Sequence, residues 1–174
     1  MSPFVTVQEV DGLGIATVLV KKGRAGALAA RIRERFGLDL PTGPRLVGAD
    51  DVMFLATGPG MWLATCESGG NAFAFSLRDA LGEFAAVVDQ TDGLVVVRLS
   101  GAKVRDALCR LVAIDVDARA FAVGDVAVTP VGHIGATLWR LDDQPAGTAR
   151  FGLAVHRSFA ASFREHLAEA LGSS

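Results

Sequence analysis

The side chains of this chain that could bind a metal ion or act as reactive thiols are three histidines and two cysteines. Their spacing in the sequence indicates whether they could form a metal site. His133, His156 and His166 are isolated, without the HxH, HxxxH or CxxC spacings that bring metal ligands together. Cys66 and Cys109 lie in a predicted strand and on a predicted helix face, and neither has a suggestive local setting. The sequence therefore predicts ordinary thiols and no metal site.

The chain also lacks the usual motifs of nucleophilic catalysis and nucleotide binding. No GxSxG, GxxxxGK[ST] or post-strand GxGxxG motif occurs. The adjacent carboxylates Asp50-Asp51 and Asp142-Asp143 lie in predicted loops, where such pairs are usually solvated. We therefore expect a non-catalytic subunit or a binding module, with no catalytic, cofactor-binding or metal-binding residues of its own.

Composition restricts the class of protein further. The chain has 174 residues, a formal net charge of −2, 51% hydrophobic residues and 21% charged ones. A chain of this length buries roughly 70% of its unfolded surface, enough for a core without disulfides or metals. The small net charge gives no general attraction to nucleic acid or to anionic membranes. The apolar runs are far shorter than the ~20 residues that span a bilayer, and no signal peptide is evident, so we expect a soluble, cytoplasmic protein.

The secondary structure that would position any functional residue is predicted most strongly for one strand and the helix that follows it. Leu94 to Leu99 is a nearly unbroken apolar run, which is typical of a central strand covered on both faces. Ser100-Gly101 then interrupts the strand. The helix that follows has one apolar stripe, formed by Val104, Ala107, Leu108 and Leu111.

A second predicted helix, Arg24 to Phe36, has basic residues along one flank. Arg24, Arg31 and Arg35 are spaced at i, i+7 and i+11 beside the apolar stripe. Such a row is either a solvated face or a docking stripe for an acidic partner surface, and the spacing leaves both open. The Pro- and Gly-rich stretch 37–48 cannot continue the helix and predicts a connecting loop.

Two more places are candidates for contact with a partner. Phe75 points away from the apolar face of a helix predicted over 71–81, so either a lid or another chain could cover it. Arg157, Ser158 and Phe159 form a turn before the closing helix, for which Ser158 is the predicted N-cap. The predicted contact residues are thus Arg24, Arg31, Arg35, Phe75, Arg157, Ser158 and Phe159.

An internal repeat links the two halves of the chain. Without a gap, Met61–Gly82 aligns with Phe151–Gly172, and each copy is preceded by a strand, a glycine break and a helix. The identical pairs are Leu63/Leu153, Ala64/Ala154, Ser68/Ser158, Phe73/Phe163, Leu77/Leu167, Ala80/Ala170, Leu81/Leu171 and Gly82/Gly172.

The repeat predicts the fold class. We expect one α+β domain over residues 1–174, with a pseudo-repeat of residues 13–82 and 93–172. Each copy would be a split βαβ, ferredoxin-like unit with an antiparallel or mixed sheet, and helices would cover one face of each sheet.

Several segments together resemble a known family. Between about residues 45 and 171 the chain contains, in order, GPGMWLA, DQTDGLVVVRLSGAKVRDAL, RAFAVGD, VGHIGATLWRLDD and VHRSFAASFREHL. This series resembles the gamma subunit of heterotetrameric sarcosine oxidase.

The resemblance implies a cytoplasmic complex with alpha, beta and delta subunits. That complex oxidatively demethylates sarcosine to glycine, produces hydrogen peroxide and passes the one-carbon unit to tetrahydrofolate; a related N-methyl amino acid is left open as substrate. In the family, FAD, FMN, NAD, tetrahydrofolate and zinc belong to the other subunits. The gamma subunit would then be an accessory subunit of an oxidoreductase, with no cofactor of its own.

The resemblance also implies a fold similar to the folate-binding domain of aminomethyltransferases. Those relatives continue the second-half hairpin with a GGIxDD-like segment that carries a functional aspartate, whereas this chain has GHIGATLW and no acid there. The KGCYxGQE signature of the iron-sulfur assembly relatives is missing as well. The alternatives are a free-standing folate-binding protein of this type and a small regulatory module that binds an amino acid.

Overall fold

The structure, a computed structural model, describes residues 4–145 and 147–172. Within these ranges the chain forms ten strands, four α-helices and one 3₁₀ turn. In order they are β1 Thr6–Glu9, β2 Gly14–Val20, α1 Ala25–Phe36, β3 Leu46–Ala49, β4 Val52–Gly58, β5 Met61–Cys66, α2 Ala72–Leu81, β6 Ala85–Asp89, β7 Leu94–Ser100, α3 Val104–Leu111, β8 Val126–Val131, β9 Ile134–Leu141, β10 Arg150–His156, the 3₁₀ turn Arg157–Phe159 and α4 Ala160–Gly172.

The strands form two antiparallel sheets in two compact units. Asp11–Gly93 contains the sheet β3-β4-β5-β2-β6 with α1 and α2, and the residues up to Val10 join those from Leu94 onward in the sheet β1-β7-β10-β9-β8 with α3 and α4. This arrangement confirms the predicted α+β class with ferredoxin-like units and antiparallel sheets. The assignment of residues 1–174 to one domain stays a prediction.

The core of the first unit lies between α1, α2 and one face of its sheet. Both helices present apolar residues at helical spacing, and β2, β4 and β5 present alternate residues to them. Helix α1 ends at Gly37, whose φ of 68° is in the left-handed region and whose N–H donates to the Arg33 carbonyl at 2.9 Å. The buried side chains of this core include Ala16, Val18, Leu28, Ile32, Phe54, Trp62, Phe73, Leu77 and Leu81.

The prediction of a loop over 37–48 is wrong at its end. β3 begins at Leu46 and forms a hairpin with β4, in which Val47 lies opposite Phe54 and Gly48 lies opposite Met53. A Cβ at Gly48 would lie 2.9 Å from Met53 Cγ, so this strand position favours glycine. The glycine that signals a loop in the sequence is therefore part of a strand.

The second unit confirms β7 as a central strand. It lies between β1 and β10, and Val95, Val96, Val97 and Leu99 are each no more than 4% exposed although successive residues point to opposite faces. The core between this sheet and helices α3 and α4 includes Val97, Leu99, Val104, Leu108, Leu138, Phe151, Leu153, Phe163 and Leu167.

Two arginines contact the ring of Phe151 in this unit. The guanidinium carbon of Arg140 lies 5.0 Å from the ring centre and that of Arg105 lies 5.3 Å from it. Arg140 is buried, donates to the Arg150 carbonyl at 3.0 Å and forms an ion pair with Asp143. Burial lowers the pKa of the Arg105 guanidinium, and the charge of Arg140 lowers it further. Arg140 thus holds both ends of the β9–β10 connection.

The two halves exchange their first strands between the sheets. β1 precedes β2 in the chain but pairs with β7, and β6 precedes β7 but pairs with β2. Each half therefore has the order strand, strand, helix, three strands, helix. This order agrees with the predicted duplication of residues 13–82 and 93–172, but it does not test common origin, and the duplication stays a prediction.

Candidate partner-binding surfaces

Helix α2 presents Phe75 to solvent. Four other residues of α2 are buried, whereas the Phe75 side chain is 61% exposed. The guanidinium carbon of Arg78 lies 5.5 Å from the centre of the Phe75 ring, and the same guanidinium donates to the Val87 carbonyl at 3.2 Å. The exposed ring is therefore held against an arginine that is itself anchored to β6.

The three predicted arginines near α1 have different surroundings. Arg31 Nε donates to the Ala80 carbonyl at 3.1 Å, and its Nη1 lies 2.9 Å from Glu34 Oε2. This bond ties α1 to the last turn of α2, where carbonyls lack a partner within the helix. Much of the Arg31 hydrogen-bonding capacity is thus used inside the unit.

Arg35 and Arg24 are less engaged by their own unit. The Arg35 guanidinium carbon lies 5.4 Å from the Phe36 ring centre, and no carboxylate of the described residues lies within ion-pair distance of it. Arg24 is the N-cap residue of α1, and its carbonyl accepts the Leu28 N–H at 2.8 Å. Arg35 and Arg24 are therefore the two arginines of this row whose guanidinium groups have no carboxylate partner among the described residues.

An open groove of about 630 Å³ lies between α1 and α2. Its α1 side contains Arg31 and Arg35 of the predicted arginine row, whereas Phe75 is not among the residues that line it. The α2 side of this groove was not identified from the sequence, although the i, i+4 spacing of Phe75 and Asp79 places both residues on one side of the helix. The groove is lined by Arg31, Glu34, Arg35, Ser76, Asp79 and Ala80.

The second predicted contact surface is the turn between β10 and α4. Phe159 is 49% exposed, and Arg157 donates to the Leu94 carbonyl at 3.2 Å. Ser158 lies inside the 3₁₀ turn, whose N-cap is His156, so the predicted N-cap role of Ser158 is wrong. The helical segment begins earlier than the sequence pattern indicated.

A smaller groove lies between α3 and α4 in the second unit. It encloses about 270 Å³ and includes Arg110, Gly132, His166 and Glu169 in its lining. Arg110 donates to the Ala170 carbonyl at 3.1 Å, as Arg31 does to Ala80 in the first unit. His166 Nδ1 lies 3.9 Å from Glu169, and this is the nearest acid that the structure gives it.

Among the described residues, the donor set does not fit a structural or catalytic zinc site, which needs at least three ligating side chains. Within residues 4–145 and 147–172, no three His, Cys, Asp or Glu side chains come together as a metal site would require. Cys66 and Cys109 are free thiols. No helix in this part of the chain is long and apolar enough to cross a membrane.

Fold and surfaces together define an α+β chain of two ferredoxin-like units, whose candidate residues lie on helix surfaces and on one turn. The model of the sarcosine oxidase gamma subunit family matches residues 22–173. The chain therefore belongs to the sarcosine oxidase gamma subunit family, as the sequence resemblance predicted. No curated protein sequence gives a significant match.

One solved structure supports the fold. A chain of the heterotetrameric sarcosine oxidase from Corynebacterium sp. U-96, in complex with pyrrole 2-carboxylate, is similar with a TM-score of 0.81 and 24% identity, covering 99% of this chain and 87% of that one. The ligand-free regulatory subunit of aspartate kinase from Thermus thermophilus gives a TM-score of 0.44 and 14% identity, covering 95% of this chain and 98% of that one. The second likeness is too weak to support an inference.

Proposed function

We propose that this chain is the gamma subunit of a heterotetrameric sarcosine oxidase, bound to alpha, beta and delta subunits in the cytoplasm. The complex would oxidatively demethylate sarcosine to glycine, with formation of hydrogen peroxide and transfer of the one-carbon unit to tetrahydrofolate. The observation that carries this proposal is the family match over residues 22–173, which is most of the chain.

We assign the chemistry of the complex to the other subunits. FAD, FMN, NAD, tetrahydrofolate and zinc would be held there, and the gamma chain would act as an accessory subunit that packs against its partners. Two features support this assignment. The sequence lacks nucleotide-binding motifs, and His133, His156 and His166 are spaced too far apart in the sequence for a shared ligand motif.

The partner contacts would come from exposed surfaces. In the first unit these are Arg31 and Arg35 in the α1/α2 groove, Arg24 at the N-cap of α1 and Phe75 on α2. In the second unit they are the residues of the turn Arg157–Phe159. Arginine and aromatic residues are enriched among the side chains that dominate protein interfaces, which supports both choices.

Co-expression with the other three subunits tests the proposed function. We expect a tagged gamma chain to bring flavin-containing alpha and beta subunits through affinity purification and gel filtration in a constant ratio. Omission of the gamma chain should lower the yield or the thermal stability of the complex, because apolar partner surface is then exposed. An active complex of unchanged stability without the gamma chain would contradict the accessory role.

Calorimetric titration with tetrahydrofolate separates this function from free-standing folate binding. The segment GHIGATLW has no acid where the aminomethyltransferase pattern carries its functional aspartate. We therefore expect no heat of binding from the isolated gamma chain. Micromolar binding at one site would favour the folate-binding alternative instead.

A further inference from the structure

Each sheet has an edge strand beside the strand that precedes the first helix of its unit, and the two edge strands are held differently. In the first unit β6 pairs with β2, and in the second unit β1 pairs with β7. Ala85 and Val87 of β6 are 1% and 7% exposed and belong to the core of their unit. All four residues of β1 are exposed. Apolar burial therefore fixes β6 but not β1.

Backbone hydrogen bonds hold β1 on β7. Just beyond one end of β1, the Val10 N–H donates to the Val96 carbonyl at 2.9 Å, and beyond the other end the Lys103 N–H donates to the Phe4 carbonyl at 3.0 Å. Val5, which precedes β1, is partly buried against the core. Because β1 itself buries little apolar surface, it can open at a lower free energy than the rest of its unit.

An ion pair joins β1 to α4. Arg164 Nη2 donates to Glu9 Oε1 at 3.1 Å and to Glu9 Oε2 at 2.9 Å. The side chains of Arg164 and Glu9 are 55% and 40% exposed, so dissolved salt screens their attraction. The side-chain contact between β1 and α4 is thus a solvent-exposed pair of charges.

Single amides of β7 distinguish its two sides, because backbone groups along an antiparallel strand point alternately to its two neighbours. The Val96 carbonyl accepts the Val10 N–H, so the even-numbered residues of β7 face β1. The Arg98 N–H therefore points to β1, whereas the N–H groups of Val97 and Leu99 point to β10. Opening of β1 alone exposes the Arg98 amide to water and leaves its two neighbours bonded.

We propose that β1 is a strap that opens from β7 while the rest of the second unit stays folded, and that the ion pair between Glu9 and Arg164 holds it closed. In the open state the central strand β7 becomes an edge strand with unpaired backbone groups on one side. β6 lacks this freedom, because its buried side chains would have to leave the core with it. This property belongs to the fold of the chain and does not depend on the proposed function.

Hydrogen exchange of single amides in the full chain, followed by NMR spectroscopy, tests this proposal. We expect the protection factor of the Arg98 amide to be at least about tenfold lower than those of Val97 and Leu99, because Arg98 exchanges through the opening of β1. Gln8 lies opposite Arg98 in the same ladder. Its amide should exchange through the same opening, with a protection factor within about threefold of that of Arg98.

Variants of β1 should open the strap by two different means. Gln8→Pro removes the donor opposite Arg98 and should lower the Arg98 protection factor by about tenfold or more, while the amides that point to β10 stay within about twofold. Glu9→Gln removes the charge that pairs with Arg164 and should lower Arg98 protection by about two- to fivefold. Added salt should lower it in the unmodified chain but not in Glu9→Gln. Glu165→Gln, a charge removal at an exposed position of α4, should keep the salt dependence.

The first unit supplies a control within the same sample. The Ile15 carbonyl accepts the Gln90 N–H just beyond β6, so the odd-numbered residues of β2 face β6. The Thr17 N–H therefore points to β6 and the Val18 N–H points to β5. Their protection factors should differ by less than about threefold, because β6 does not open alone.

Three results would overturn the proposal. Equal protection of Arg98 and Val97 in the unmodified chain would mean that β1 opens only when the whole unit unfolds. A difference across β2 as large as that across β7 would mean that opening is common to both edge strands. If Glu9→Gln and salt leave Arg98 unchanged while Gln8→Pro lowers its protection, the ion pair does not hold β1 closed. Circular dichroism establishes that each variant is folded, and the comparison within the unmodified chain decides the first point without any variant.

Discussion

The helix pairs α1/α2 and α3/α4 are held together by the same contact but present different surfaces. In each pair an arginine of the first helix donates to a carbonyl in the last turn of the second, Arg31 to Ala80 and Arg110 to Ala170, both at 3.1 Å. The carbonyls in the last turn of a helix have no hydrogen-bond donor within that helix. In each unit the arginine therefore supplies a donor, and its positive charge also suits the negative end of the helix dipole.

The exposed sides of the two pairs differ in charge and in apolar area. At the positions that align with Phe75 and Arg78 of α2, helix α4 carries Glu165 and Ala168. The first groove is about 630 Å³ and the second about 270 Å³. The arginine contact inside each helix pair is thus shared, while the residues on the exposed sides of the two pairs are not.

The largest expected effect tests whether the two cores are equivalent. Phe73 and Phe163 occupy the same position in α2 and α4 and are 7% and 1% exposed. We expect Phe73→Ala and Phe163→Ala each to lower the free energy of unfolding by about 3–5 kcal/mol, because both leave a cavity between helix and sheet. Urea unfolding of the two variants measures this.

Phe75→Ala is the matched control on the same helix. Its ring is exposed, so we expect a change within about 0.5 kcal/mol in the isolated chain. If one of the two buried phenylalanine variants lowers the free energy of unfolding by less than about 1 kcal/mol while the other shows the expected loss, the two cores are not equivalent.

A smaller effect tests the shared arginine contact. Arg31→Met and Arg110→Met keep much of the aliphatic side chain but leave the Ala80 or Ala170 carbonyl without its donor. We expect each to cost about 1–2 kcal/mol in urea unfolding. Arg33→Met removes only an exposed pair with Asp39 and should cost less than about 1 kcal/mol. Equal losses of stability for all three variants would mean that the two arginine–carbonyl bonds stabilise the protein no more than an exposed ion pair does.

The sequence was sufficient to predict the strand-to-helix units and the fold class. The run from Leu94 to Leu99 predicts a strand buried on both faces because every residue type in it except Arg98 is apolar, and burial follows side-chain type. The apolar stripe of α3 was predicted for the same reason. All four of its predicted residues are buried.

The alignment of the two halves shows what sequence identity could not predict. Ala64 belongs to the core beneath α1 and α2, whereas its match Ala154 lies between Leu153 and Val155, which face α3 and α4. Matched strand residues thus point to opposite faces, although the matched helix residues Phe73 and Phe163 are equivalent. A shift of a strand by one residue turns each of its side chains to the other face of the sheet, and sequence identity between the two halves does not reveal such a shift.

The α1/α2 groove was predicted only in part for a related reason. Arg31, Arg35 and Phe75 were recognised on their own helices, but the register that brings Ser76 and Asp79 to the same groove depends on tertiary packing. Helical spacing places residues on one face of one helix and says nothing about the helix opposite.

The smallest expected effect concerns the connections that follow α1 and α3. The first is anchored where Trp62 Nε1 donates to the Pro41 carbonyl at 2.8 Å, and the second where the Asp117 carbonyl accepts the Phe121 N–H at 2.8 Å. The Asp117 carboxylate accepts the backbone N–H of Arg119 at 3.0 Å. This bond, with a smaller contribution from the Arg119 guanidinium, holds the pKa of that carboxyl below its usual value.

Because the pKa of Asp117 is lowered in the folded state, its contribution to stability is fully present above the usual aspartate pKa, near 4, and is lost as pH falls through the folded value. Asp117→Asn keeps an oxygen acceptor for Arg119 but removes the charge. We therefore expect its melting temperature to equal that of the unmodified chain near pH 2 and to fall slightly below it from about pH 4 upward. Asp117→Ala should add a pH-independent loss, since it also removes the acceptor. If the difference between Asp117→Asn and the unmodified chain is the same at every pH, charge does not hold this connection, and the two units anchor their connections by neutral hydrogen bonds alone.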